Sequence, residues 1–93
     1  MQHWRKTRAP TRYSASLLVG GVAHRITVVN VHEEGAGVEG VPPLPAGAAV
    51  TLQVMHHRLP ARIAWMEGGA TGLTFQARIG VQLLNTLRRL VRR

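Results

Sequence analysis

Arg8 and Arg12 stand four residues apart in the segment RAPTR, and a second run, NVHEEGAGVEG, holds Asn30, His32 and Gly35 within residues 30–40. Arginine is the side chain best suited to oxyanions and base edges. Its flat fork of donors meets a phosphate or a base at two points, where lysine offers a point charge. Lys6 is the single lysine among twelve cations, set against four acids, and the formal net charge is +8. Arg5, Lys6, Arg8 and Arg12 crowd the start, and Arg78, Arg88, Arg89, Arg92 and Arg93 crowd the end. Glu33, Glu34, Glu39 and Glu67 all lie between them. Two basic ends about a nearly neutral centre predict an anionic partner, although the C-terminal arginine run reads first as a solvated face.

Other chemistries are excluded by composition. The chain has no cysteine, which removes disulfides, thiolate zinc sites and cysteine nucleophiles and suits a reducing compartment. It also has no aspartate and no HExxH pattern. His56 and His57 are adjacent, so on a strand they face opposite ways, and His3, His24 and His32 are far apart. No metal site is predicted. Glu33 and Glu34 are neighbours on a turn and not a facing acid–base pair, and no GxSxG, P-loop or Rossmann glycine pattern occurs. The expectation is a binding domain that is not an enzyme and needs no cofactor. No run approaches a membrane span, and the first twenty residues lack the apolar stretch of a signal peptide, so a cytoplasmic location is expected.

These residues need a scaffold, and 93 residues suffice for one small domain. Residues 1–12 show no period and are expected to form a flexible basic arm. From Tyr13 onward the rhythm is that of strands. Ala15, Leu17 and Val19 share one face of YSASLLV, and Gly20–Gly21 marks a hairpin turn into AHRITVVNV, where Ile26 and Val28 face inward. GAGVEG is a short extended piece, and VPPLP is a loop because prolines supply no ladder donors. VTLQVM alternates again, and His56, His57 and Arg58 read as a turn. LPARIAW places Leu59, Ala61, Ile63 and Trp65 on one side, with Trp65 assigned to the core, and Pro60 puts its start at an edge or a bulge. Gly68–Gly69 turns the chain into TGLTFQ, with Leu73 and Phe75 inward. The period then changes. Ile79, Leu83, Leu84, Leu87, Leu90 and Val91 make one stripe of an amphipathic helix over 79–92, with Gln82, Arg88, Arg89 and Arg92 on its outer face. The predicted architecture is mainly β: a small six-stranded antiparallel Greek-key barrel over 13–93, closed by this C-terminal helix.

Taken in order, RAPTR ahead of the first strand, NVHEEGAGVEG at the end of the second, ARIAWMEGGATGLTF and a final helix resemble the PilZ domain family across roughly residues 5–90. In that family the second motif is (D/N)xSxxG, matched here by Asn30, His32 and Gly35 with histidine where serine is usual. The resemblance implies a receptor for cyclic di-GMP, a bacterial second messenger, with Arg8, Arg12, Asn30, His32 and Gly35 as the ligand-binding set. The side chains suit that ligand. It carries two phosphates and two guanines, and guanine's O6 and N7 form the edge that arginine meets bidentately. Asn30 both donates and accepts, which fits the opposite edge. The arm would be loose without ligand, close on it, and signal to an unidentified protein partner.

Two alternatives stay open. His32 is larger than serine, and Glu33 and Glu34 bring negative charge beside it, so the domain could have lost the nucleotide and act as a protein-interaction adaptor. A small basic barrel could also bind nucleic acid, although four aromatic residues leave a poor stacking platform and make that partner less favoured.

Overall fold

A computed structural model describes residues 12–90 of the chain. Arg8, with the rest of residues 1–11, and residues 91–93, which include Val91 of the helical stripe and Arg92 of its outer face, lie outside the described residues. Six strands follow one another: β1 (Tyr13–Val19), β2 (Val22–His32), β3 (Gly35–Glu39), β4 (Ala49–Val54), β5 (His57–Glu67) and β6 (Ala70–Phe75). One helix, α1 (Val81–Arg88), comes after them. The strands close into a barrel in the order β1-β2-β3-β6-β5-β4, every pairing antiparallel. The sequence-based fold class is therefore the observed one. No helix among the described residues is long and apolar enough to cross a membrane.

The glycine pairs make their turns because both residues must adopt positive φ. Gly20 and Gly21 lie at 57° and 85°, and Gly68 and Gly69 at 58° and 85°. This left-handed pair matches the twist of the strands it joins. The third hairpin differs from expectation. Met55 turns at φ 59°, and His57 and Arg58 already belong to β5, so the turn falls earlier than the polar cluster suggested. Pro60 lies where β5 outruns β6: over His57–Pro60 it pairs with β4 alone, and Gln76 donates its amide to the Pro60 carbonyl at 2.8 Å. The side left unpaired by β6 is the one that tolerates a missing N–H.

Alternation fills the interior with Leu17, Ile26, Val28, Val38, Leu52 and Ile63, each essentially inaccessible to water. The proline-rich connection from β3 to β4 packs Val41, Leu44 and Ala48 against this core. It is pinned by Gly47 N–H to the Ile63 carbonyl at 2.7 Å and by Ile63 N–H to the Ala48 carbonyl at 3.0 Å. Helix α1 inserts Leu84 and Leu87 into the core. The helix begins at Val81 and not at Ile79. Gly80 is its extended N-cap, and the Ile79 amide donates to the Glu33 carbonyl at 3.0 Å, which ties that residue to the β2–β3 turn. Ile79 is buried all the same. Arg88 is exposed, as periodicity placed it, and also donates Nε–H to the Val31 carbonyl at 3.3 Å.

Tyr13 supplies a test of the packing. Its hydroxyl is buried and has no hydrogen-bond partner among the described residues, and burial pushes its pKa up from 10.0 to about 12. An unfolded chain releases that proton near pH 10 and the folded chain near 12, so the folded state keeps its full stability below pH 10 and loses some as pH climbs through the window. Because the ring is partly exposed, water screening limits the loss to about 1 kcal/mol. Tyr13 is the sole tyrosine, so ultraviolet titration of tyrosinate reads it alone. Tyr13→Phe is expected to be neutral or to stabilise by up to about 1 kcal/mol at neutral pH, and to abolish the alkaline decline seen in denaturant melts.

Candidate functional site

Two β-bulges decide which side chains leave the core. The pairing of β2 with β3 shifts between Val28 and Asn30, and that of β5 with β6 shifts between Ile63 and Trp65. Each bulge inserts one residue, Val29 or Ala64, and so reverses side-chain parity beyond it. Val28 and Ile63 point inward. Strict alternation would send Asn30 and Trp65 in after them. With the bulges both point outward, and Val31 and Met66 take the inward positions instead. The assignment of Trp65 to the core is therefore corrected: its indole is 36% exposed. The signal was present but ambiguous, since the apolar residues flanking it in IAWM and VVNV fit either parity.

Between these two side chains lies a floor without side chains. Asn30 pairs with Gly37, Gly37 with Gly72, and Gly72 with Trp65, one row across β2, β3, β6 and β5. Asn30 leans over Gly37, where an added Cβ would stand 3.0 Å from its Nδ2, and the indole of Trp65 covers Gly72 so closely that a Cβ there would overlap it. The next row is His32, Gly35, Thr74 and Arg62. At Gly35 the strands approach so nearly that a Cβ would fall on the Leu73 carbonyl oxygen. Together these residues, Arg62 excepted, line an open groove of about 250 Å³. A backbone floor, an amide at one wall and an indole at the other accept a flat ring, with peptide dipoles beneath it and donors and acceptors at its edge.

The structure brings Asn30, His32 and Gly35 into this one groove. Arg12 reaches the adjoining part of the same face. Its Nη2 lies 2.8 Å from Oε1 of Glu39, which follows Gly37 on the outward side of β3. Both partners are about half exposed, at 54% and 46%, so the pair is easily exchanged. Arg8 is outside the described residues.

Sequence reasoning missed Trp65 as a groove residue, and it missed the partner of the two acids in the turn. Arg78 places Nη2 3.0 Å from Glu33 Oε1 and 3.5 Å from Glu34 Oε2. The turn carbonyls are held by the same segment: Phe75 N–H donates to Glu34 at 2.8 Å and Ile79 N–H to Glu33 at 3.0 Å. The ion pair spans 45 residues, and no local pattern announces it.

A family model described as PilZ domain matches residues 1–93, the whole chain. No curated protein matches it.

Proposed function

We propose, because this chain belongs to the PilZ domain family of cyclic di-GMP receptor domains, that it binds that nucleotide in the groove between Asn30 and Trp65. The observation that carries the proposal is the pair of bulges, which turn an amide and an indole outward on either side of a glycine floor. On this reading one guanine lies over Gly37 and Gly72, its edge against Asn30 and its face beside the Trp65 ring. Gly35 lets β3 and β6 close up beneath it. The His32 ring nitrogen stands where the family's serine hydroxyl would be. Arg12 exchanges Glu39 for the ligand, and with Arg8 it meets phosphate and the O6/N7 edge. The arm then closes, at an ordering cost of about 1–2 kcal/mol per residue, and presents a changed surface to a protein partner. The domain acts as a receptor and not as an enzyme, in a bacterial cytoplasm.

Calorimetric titration with cyclic di-GMP, beside GTP and single-stranded DNA as controls, tests this. Saturable heat with the cyclic dinucleotide alone is expected. Heat with DNA alone, falling steeply with salt, would move the reading to a nucleic-acid module. Trp65→Ala is expected to weaken the nucleotide about tenfold, the scale of one base–aromatic stack, and also to lower the melting temperature, because the indole that covers Gly72 is mostly buried. A second reading is favoured by His32, exposed in the groove where a small hydroxyl is usual. On that reading the domain binds no nucleotide and serves as an adaptor. His32→Ser separates the two: binding gained only in that variant supports the adaptor.

A further inference from the structure

We infer that Arg78 is a positioning residue of the nucleotide site, one that masks the two carboxylates of the β2–β3 turn so that a dianion can settle beside them. The inference rests on the receptor reading above. Glu34 lines the ligand groove, and Glu33 and Glu34 both line the polar cleft between the turn and α1. Two uncompensated negative charges at that rim would repel the phosphates. One guanidinium nitrogen reaches both acids, at 3.0 and 3.5 Å. Its backbone is not free to wander, because the amides of Phe75 and Ile79 on either side are bonded to the carbonyls of Glu34 and Glu33. Arg78 therefore stays rooted beside the turn, and although its side chain is about as exposed as that of Arg12, its guanidinium has both acids within reach. Arg88 lines the cleft itself, with its Nε bonded to the Val31 carbonyl, and makes no ion pair with either acid among the described residues. Among the described residues Arg78 is the cation paired with these two acids, and it stands outside both sequence motifs.

Calorimetry with cyclic di-GMP at low salt provides the test, with melting temperature as a check on folding. Arg78→Gln is expected to weaken binding about tenfold, and the deficit should shrink as salt is added. Arg89→Gln removes the same charge from an exposed cation with no ion pair among the described residues, and is expected to change affinity by less than about twofold. The triple variant Glu33→Gln, Glu34→Gln, Arg78→Gln should return to within about twofold of the parent, because nothing is left to mask. The double variant Glu33→Gln, Glu34→Gln keeps Arg78 and should bind at least as tightly as the parent, which preserves the test if Arg78→Gln does not fold. A parent that binds while Arg78→Gln binds equally well, or a triple variant as weak as Arg78→Gln, overturns the masking role alone. A parent with no saturable heat overturns the receptor reading, and the masking role with it.

Discussion

Gly35→Ala is expected to destabilise the barrel by about 2–4 kcal/mol, seen as a lower urea midpoint with an unchanged slope. The new Cβ would land on the carbonyl oxygen of Leu73, a backbone atom in a paired strand that no rotamer change can move aside. Relief requires β3 and β6 to part where the Phe75 amide also secures Glu34. Gly37→Ala is the informative contrast. The atoms nearest its Cβ would be the amide end of Asn30, at 3.0–3.4 Å, which can swing away. That variant should keep most of its stability and lose affinity, because the side chain that must yield is the one proposed to read the base. Equal destabilisation by both would show that close approach at Gly35 is not what constrains the fold.

Arg12→Ala should produce the second large effect, a loss of cyclic di-GMP affinity of about ten- to a hundredfold, the range of one or two charge-assisted hydrogen bonds. Arg8→Ala should match it. Stability should change by less than about 0.5 kcal/mol, since the pair that Arg12 makes with Glu39 is half exposed. Glu39→Gln carries the opposite sign. It frees Arg12 from a competitor and should tighten binding severalfold, while a simple structural pair would leave affinity unchanged. Calorimetric constants for the three variants decide the matter. Undiminished binding by Arg12→Ala would remove the arm from the site.

The barrel was legible in the sequence because its information is local. Period-two alternation marked Leu17, Ile26, Leu52 and Leu73 as inward, and the two glycine pairs located their hairpins. Asn30, His32 and Gly35 were legible as a set because one strand end and one turn hold them all. What escaped depends on register. A bulge leaves no mark where the flanking residues are all apolar, so Trp65 was assigned to the wrong face and Gly72 was not seen as its partner. The turn at Met55 escaped because a non-glycine residue took the left-handed conformation. Arg78 escaped because its partners are remote in the chain, and the helix start shifted because a tertiary bond claimed the Ile79 amide.

Closure of the strands into a ring limits how this domain can talk to anything else. A partner that recognises proteins by β-augmentation needs a row of open backbone donors and acceptors, and the ring of six pairings leaves no full-length edge to offer one. The short overhang at the start of β5 carries Pro60, which has no donor to give. Strand addition along a full-length edge is therefore closed as a route among the described residues, which leaves side chains, flanking segments and partial overhangs such as Val22–Ile26 of β2, paired there with β1 alone.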